Sequence, residues 1–390
     1  MHYLDHAATT PLRPEARDAW LAATETIGNA SSTHGAGQDA RRLLEESRER
    51  VAAVLDADPI EIVFTSGGTE SINLALQGSW HARAQGRDAI VLPDGEHHAT
   101  MDTVEALQSV GAVVRPVALT STAHIDPDRF AAALPGAALA TALVANNEAG
   151  TVNPAPALAA AAADAGVPLH LDAVAALGHL PLSFRGLRGD ARTGVGLVAL
   201  SLAGHKIGAP VGVGALIVAR TARLAPLLRG GAQQRGLRAG TQDVPGAAAF
   251  ATALELAERE RPLEAIRLAA LRDRLVDGIR ARVPEAVLLG DAIDRLPGNA
   301  HVLFPGAVGE SLLFLLDTAG IAASTGSACQ AGVAEPSHVV RAMGRSEQDA
   351  RSVLRFSLGR TSTDDDVTAV IEAIGDAYLR ASGSGTAGRS

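Results

Sequence analysis

The chain has 390 residues, 47% of them hydrophobic, which is enough for two domains with cores of their own. Its formal net charge of −9 at pH 7 and its aromatic content of 3% argue against a nucleic-acid or anionic-membrane surface as its main contact. The N-terminal sequence MHYLDHAATT and the apolar runs resemble neither a signal peptide nor a membrane span. We therefore expect a cytoplasmic protein that binds neither nucleic acid nor membrane.

Two residue types occur only once. Cys329 is the only cysteine, so no internal disulfide can form, and we expect no Cys-rich metal site. Lys206, in LAGHKIGAP, is the only lysine among 34 lysines and arginines. Compositional bias toward arginine explains why lysine is scarce. However, an ε-amine can lose its proton and form a Schiff base with an aldehyde, whereas a guanidinium cannot. On this fact alone, chance survival and a chemical role both remain open.

From about residue 40 to 220, helical and strand patterns alternate. The predicted elements are a helix over 38–57, a strand over 61–66, a helix over 68–86, a strand over 89–93, a helix around 98–110, a strand over 112–119, a helix over 127–134, a strand over 139–147, a helix over 155–166 and a strand over 168–174. This alternation predicts an α/β fold with a mostly parallel sheet covered on both faces. Ligands bind at the carboxyl ends of such strands, where TSGGTE, GEHH, NNEAG and LDAV all lie.

A second region follows a helical segment over 245–262. It has predicted strands near 299–304 and 354–358 and a helix over 309–319, which indicates a smaller α+β domain. We predict a large domain over 15–250 and a small domain made of 1–14 together with 251–380. The small, polar residues 381–390 predict a disordered tail.

Two of the strand ends carry candidate ligand-binding groups. In FTSGGTESINLA the amides of Gly68 and Thr69 and the Thr69 hydroxyl could hold a phosphate at a helix N-terminus, or they could form an ordinary capped turn. Asp172 ends an apolar strand, where a carboxylate either caps the next helix or pairs with a buried cation. A pyridinium nitrogen is one such cation.

Further candidates lie in polar loops and on a strand. His97 in GEHHAT and Asn147 in ANNEAG are equally compatible with structural roles. Arg355 alternates with apolar neighbours in VLRFSLGRTS, which suits a bidentate hold on a carboxylate. Cys329, in ASTGSACQAG, has the small neighbours of an exposed, mobile loop. It is either an incidental surface thiol or a nucleophile carried to a bound substrate.

Taken together, these groups describe one reaction centre. It would contain a lysine that forms a Schiff base, an anion-binding turn, a carboxylate for a ring nitrogen, a carboxylate-binding arginine and a mobile thiol. This set fits pyridoxal 5'-phosphate acting on a sulfur-containing amino acid, with the cysteine accepting the sulfur.

The order of the motifs resembles the cysteine desulfurases of the NifS/IscS type in the class V aminotransferase group. The resemblance runs from YLDHAATTP at residue 3 to LRFSLGRTS ending at residue 362, through GNASSTHGAG, EIVFTSGGTES, ANNEAGT, GHK, RGLRAGT and STGSACQAGVAEPSHV. It implies the type I fold of pyridoxal-phosphate-dependent transferases and a homodimer. The implied reaction converts L-cysteine to L-alanine and leaves the sulfur on an enzyme cysteine as a persulfide, for iron–sulfur cluster assembly or thiolation through a sulfur-acceptor protein.

The resemblance also implies a role for each matching residue. Lys206 would hold the cofactor as a Schiff base and then remove the substrate's Cα proton. Asp172 would pair with the pyridine nitrogen, and His97 would stack on the ring and assist proton transfers. The Cys329 thiolate would attack the substrate sulfur.

The remaining implied roles concern binding. Thr69 and His205 would bind the cofactor phosphate beside Gly68, and Thr241 would join them from the second subunit. Asn147 would contact cofactor or substrate, and Arg355 would bind the substrate carboxylate.

Three residues depart from the family pattern. Ala175 stands where a glutamine is common, Ala203 where a serine usually binds phosphate, and Gln234 where a glutamate is found. We expect these changes to weaken cofactor binding or shift the pKa of the Schiff base without abolishing the chemistry. Two alternatives stay open: a related lyase acting on selenocysteine or cysteine sulfinate, and a degenerate homologue kept as a scaffold.

Overall fold

The computed structural model describes residues 1–326 and 335–383. The strands of this part are His2–Tyr3 (β1), Ile62–Thr65 (β2), Ala89–Pro93 (β3), Val113–Val117 (β4), Leu139–Leu143 (β5), Pro168–Asp172 (β6), Gly196–Ala203 (β7), Gly214–Val218 (β8), Val287–Leu289 (β9), Asn299–Leu303 (β10), Ile321–Ala322 (β11) and Val353–Ser357 (β12). The helices are Pro14–Thr24 (α1), Gly35–Val54 (α2), Gly68–His81 (α3), His98–Gln108 (α4), Pro127–Ala133 (α5), Ala155–Asp164 (α6), Phe184–Arg188 (α7), Val244–Arg282 (α8), Gly309–Thr318 (α9), His338–Ala342 (α10), Glu347–Ala350 (α11) and Asp364–Ala381 (α12). None of these helices combines the length and the apolar composition needed to cross a bilayer.

The central sheet has seven strands in the order β2-β8-β7-β6-β5-β3-β4. Its pairs are parallel from β7 through β6, β5 and β3 to β4, whereas β8 is antiparallel to both of its neighbours. Every residue of β5, β7 and β8 is buried, as expected for strands covered on both faces. The predicted α/β fold with a mostly parallel sheet is confirmed.

At one edge of this sheet, β4 contains Pro116. Proline lacks an N–H group and cannot complete a sheet ladder on both sides, so it is tolerated at an edge. Val113, Val114 and Arg115, which precede Pro116 in β4, are also more exposed than the residues of β5. The position of β4 in the sheet therefore follows from its own sequence.

Helix α8 is longer than the sequence analysis predicts. It continues through Pro262 to Arg282, instead of ending near residue 262. Proline inside a helix costs about 3 kcal/mol. The turns beyond it nevertheless bury Leu268, Leu275 and Ile279, whose spacing places them on one helix face. We attribute the continuation to this apolar stripe, whose burial outweighs the local break.

A smaller antiparallel sheet, β12-β10-β9, lies beyond α8 with α9 and α12. Its apolar residues form a buried cluster separate from that of the central sheet, and Leu4 belongs to it. The N-terminal strand β1 pairs in parallel with β11. Helix α8 contributes to both clusters, since Ala257 packs with the first and Leu268 with the second. The proposed domain boundary at residue 250 stays a prediction.

Leu4 offers a test of how the N-terminal segment is held. It is fully buried in the second cluster, whereas Leu12 on the same segment is 45% exposed. We expect Leu4→Ala to lower the free energy of unfolding by about 3 kcal/mol, because it leaves a cavity. Leu12→Ala should change it by less than about 0.5 kcal/mol. Equal thermal midpoints for the two variants would show that the segment does not pack as described.

Candidate active site

A cavity of about 420 Å³ opens at the carboxyl ends of the central strands. It brings together eight of the residues singled out in the sequence: Gly68, Thr69, His97, Asn147, Asp172, His205, Lys206 and Arg355. Thr241 is not among the residues that line it. Cys329 lies outside the described residues, but Ser324 and Gly326, which precede it, line the cavity. Segments far apart in the chain thus meet at one place.

Lys206 enters the cavity from the turn that follows β7. Its Nζ donates to the carbonyl oxygen of Ala8 at 2.9 Å and to that of Ala7. Burial, reinforced by the positive charge of Arg355, lowers the pKa of Lys206 to about 8. This brings the neutral, nucleophilic amine within reach of physiological pH.

Asp172 lies at the end of β6 and is 2% exposed. Its Oδ1 accepts a hydrogen bond from the backbone N–H of Val174 at 2.9 Å. Burial raises the pKa of Asp172 to about 6, although that hydrogen bond and the charge of Lys206 oppose the rise. A cation beside this carboxylate would stabilise its ionised form, so the position suits a protonated ring nitrogen.

Helix α3 begins at Gly68 and presents an uncapped N-terminus to the cavity. Gly67 at the N-cap makes no side-chain cap bond. The first amides of a helix have no intrahelical partner and attract anions. A Cβ added at Gly68 would lie 2.7 Å from Cγ2 of Val174, so glycine keeps this approach open. His205, also in the cavity, has Nδ1 at 3.3 Å from Oγ1 of Thr9. These groups fit a phosphate.

The ring of His97 has a fixed tautomer. Its Nδ1 accepts from the backbone N–H of Ala99 at 3.0 Å, as the N-cap of α4, so the neutral ring carries its proton on Nε2. Burial, with the charge of Lys206 beside it, lowers the pKa of His97 to about 4. At neutral pH the ring is therefore uncharged and can lie against an aromatic cofactor.

Arg355, on β12, already has internal partners. Nη2 donates to Oδ1 of Asp5 at 2.9 Å, and Nη1 donates to the backbone oxygen of Asn147 at 3.1 Å. The guanidinium is buried, and its Nε has no partner among the described residues. A guanidinium carries five N–H donors, so several are left for a ligand. An arginine presented in this way suits a carboxylate.

Comparison with known proteins agrees with this geometry. The class-V aminotransferase family matches residues 2–370. The chain is 46% identical to an IscS-like cysteine desulfurase of Mycobacterium tuberculosis, over 98% of this chain and 97% of that one. It resembles the solved structure of a NifS-like protein with a TM-score of 0.88 and 31% identity, over 96% of this chain and 98% of the other. It also resembles a structure of SspA in complex with cysteine, with a TM-score of 0.80 and 29% identity, over 93% of this chain and 100% of that one.

The chain belongs to the class-V aminotransferase family. The resemblance found in the motifs is confirmed, and so is the type I fold that it implied. The class-V aminotransferases include the cysteine desulfurases, and these enzymes depend on pyridoxal phosphate.

The three departures from the family pattern occupy different places. Ala175 and Ala203 line the cavity, where a longer polar side chain could reach a ligand. Gln234 does not line it. Instead, the Oε1 of Gln234 accepts from Nη1 of Arg48 at 2.9 Å, and its backbone has a φ of 50°. Of these three residues, only the two alanines lie where they could contact a ligand in the cavity of this class-V aminotransferase.

Several groups in the cavity or next to it have contacts that the sequence motifs do not predict. Asp5 binds Arg355, and the carbonyls of Ala7 and Ala8 bind Lys206. Glu96 is buried, and its Oε1 accepts from the backbone N–H of Leu143 at 2.8 Å. The motifs YLDHAATTP and GEHH contain these residues, but a motif gives no direction for a side chain. Only the folded chain shows what each of them contacts.

The charge of Asp172 should make stability depend on pH in the cofactor-free protein. The pKa of Asp172 is about 6 in the folded protein and about 4 when the chain is unfolded. As pH rises from about 4 through about 6, the buried carboxylate therefore lowers the free energy of unfolding by an increasing amount. We expect Asp172→Asn to stabilise the cofactor-free protein by about 3 kcal/mol at pH 8, and to have little effect near pH 4. Chemical denaturation at both pH values measures this. A destabilised variant at pH 8 would contradict it.

Proposed function

We propose that the chain is a pyridoxal-phosphate-dependent cysteine desulfurase. It would convert L-cysteine to L-alanine and keep the sulfur as a persulfide on Cys329. One observation carries the proposal: the only lysine lies in a cavity that also holds a buried carboxylate, an uncapped helix N-terminus and a buried arginine. The relatives named cysteine desulfurase, and the bound cysteine of SspA, support the choice of substrate.

The residues of the cavity fit the cofactor. Lys206 would hold its aldehyde, Asp172 its ring nitrogen, and His97 one face of its ring. The amides of Gly68 and Thr69 at the start of α3, together with His205, would hold its phosphate. When bound, pyridoxal phosphate draws electrons away from the Cα of an attached amino acid.

Side chains around the cofactor would bind the substrate and transfer protons. Arg355 would bind the α-carboxylate through N–H groups that its internal partners leave available, with Asn147 beside it. The amine of Lys206, whose pKa is about 8, would take the Cα proton and return it later. His97 would move protons at its Nε2.

In the proposed sulfur transfer, Cys329 is the nucleophile. Its thiolate would attack the substrate sulfur, the sulfur–carbon bond would break, and the carbon would gain a proton to become alanine. The position of Ser324 supports this assignment. Its backbone N–H and oxygen pair with Arg355, so the segment that carries Cys329 leaves the described part of the chain at the cavity wall.

Further parts of the proposal concern partners. Thr241 would reach the phosphate from the second subunit of a homodimer, since it does not line the cavity of its own subunit. The persulfide would pass to a sulfur-acceptor protein of iron–sulfur assembly or thiolation. We propose a cytoplasmic location because of the charge and the single cysteine.

The proposal is tested by incubating cofactor-loaded protein with L-cysteine. We expect alanine in solution and one added sulfur in the mass of the peptide that contains Cys329, and a thiol reductant such as dithiothreitol, added afterwards, should release that sulfur as sulfide. Cys329→Ala should lose the sulfide and the added mass. Lys206→Arg keeps the positive charge but should slow alanine formation at least about a hundredfold, because a guanidinium cannot act as the base.

The same assay separates the alternatives. Selenocysteine or cysteine sulfinate turned over equally by wild type and Cys329→Ala, with no product from cysteine, would favour the related lyase. Protein that acquires no visible absorbance band when mixed with pyridoxal phosphate would favour the scaffold. Either result would overturn the proposal.

Ala203 gives a test of the cofactor-binding site alone. Its Cβ lies 3.5 Å from the place where a Cβ on Gly68 would be, so a serine hydroxyl there could reach the proposed phosphate. We expect Ala203→Ser to lower the Kd for pyridoxal phosphate about tenfold, because it adds a hydrogen bond to a charged group. Ala145→Ser, at a buried position that does not line the cavity, should leave the Kd unchanged. Equal Kd values in all three proteins would contradict the phosphate site.

A further inference from the structure

The N-terminal segment is fixed against β12 in a definite register. Asp5 forms a parallel bridge with Ser357, and the backbone N–H of Ser357 donates to the oxygen of Leu4 at 2.7 Å. The hydroxyl of Ser357 accepts from the backbone N–H of Ala7 at 2.8 Å. Because Ser357 is two residues beyond Arg355, this register brings Asp5 to Arg355.

The carboxylate of Asp5 forms a charge-assisted hydrogen bond with Arg355. The distance from Oδ1 to Nη2 is 2.9 Å, and the side chains are 21% and 6% exposed. Such bonds are stronger and more directional than neutral ones, especially away from water. Together with the bond from Nη1 to the oxygen of Asn147, it fixes the plane of the guanidinium and leaves Nε without a partner in the described chain.

The same segment also meets the reactive amine. The carbonyl oxygens of Ala7 and Ala8 accept from Nζ of Lys206, and the carboxylate of Asp5 favours the charged form of that amine. Asp5 is therefore the one residue of this segment whose side chain acts on both cationic groups of the cavity.

Other charged and titratable groups surround Lys206. Asp172 also favours its charged form, whereas Arg355 disfavours it. His97 and His205 are held neutral by burial and by the charge of Lys206 itself. A small second cavity, which Lys206 also lines, contains further such groups: His6, Arg13, His179, Glu260, Glu264 and Arg360. Because Asp5 favours the ammonium form of Lys206, removal of its carboxylate should lower the pKa of Lys206.

We propose that Asp5 is a positioning residue that orients Arg355 for the α-carboxylate of the amino-acid substrate and stabilises the ammonium form of Lys206. The first effect depends on the hydrogen bond, and the second depends on the negative charge. Only the first rests on the function proposed above.

Because Lys206 is the only lysine, its protonation can be read without activity. Cofactor-free, full-length protein is treated with trace acetic anhydride between pH 6 and 10, and acetylation of the peptide containing Lys206 is measured by mass spectrometry. We expect the midpoint in Asp5→Asn to shift to lower pH, because the ammonium loses a stabilising charge. Asp366→Asn is the matched control. It removes a carboxylate that binds His2 on the same N-terminal strand, and should leave the midpoint unchanged.

The hydrogen bond is tested with substrate. In cofactor-loaded protein, Asp5→Ala should raise the KM for L-cysteine about tenfold, with a smaller change in kcat. Asp5→Asn keeps an acceptor oxygen and should retain a KM closer to that of wild type.

The outcomes are distinguishable. An unchanged labelling midpoint in Asp5→Asn, in protein with the thermal stability of wild type, would overturn the charge effect whatever the substrate is. An unchanged KM in Asp5→Ala would overturn the orienting effect. Absence of turnover in wild type would count against the proposed function, while the labelling result would still decide the charge effect.

Discussion

The site depends on removing one amine from water. Lys206 lies in a cavity where burial costs its ammonium form stability, and Asp5, Asp172 and two backbone carbonyls keep that cost from becoming prohibitive. The balance places the amine where it can either carry or lose a proton near neutral pH. A fully exposed lysine would stay protonated at neutral pH, and a buried one without these partners would lose its proton and stay neutral. The opposing groups therefore form part of the chemistry as much as the amine does.

Four distant segments supply this balance, and each is held by backbone structure. Asp172 lies at the carboxyl end of β6, and Lys206 lies just beyond the carboxyl end of the neighbouring strand β7. Ligands bind at the carboxyl ends of parallel strands in folds of this kind. Strand β12 delivers Arg355, and the N-terminal segment is hydrogen-bonded to β12. A rigid scaffold of this sort keeps the charged groups at fixed separations, which preserves their mutual effects on protonation.

Much of this arrangement could be predicted from local sequence, and some of it could not. Apolar runs followed by polar residues identify strand ends, so Asp172 and His97 could both be assigned to the carboxyl ends of the strands. The pairing of Asp5 with Arg355 joins residues 350 positions apart, and no periodic pattern encodes such a contact. Helix α8 passes Pro262 because tertiary burial overrides a local signal. Gln234, similarly, contacts Arg48 and does not line the cavity, which its motif could not reveal.

Chemical reduction tests most directly whether Lys206 anchors an aldehyde cofactor, as we propose. Protein loaded with pyridoxal phosphate is treated with borohydride, digested and analysed by mass spectrometry. We expect the peptide containing Lys206 to gain the mass of the reduced cofactor, and no other peptide to do so. An unmodified Lys206 peptide in protein that has bound the cofactor would contradict it.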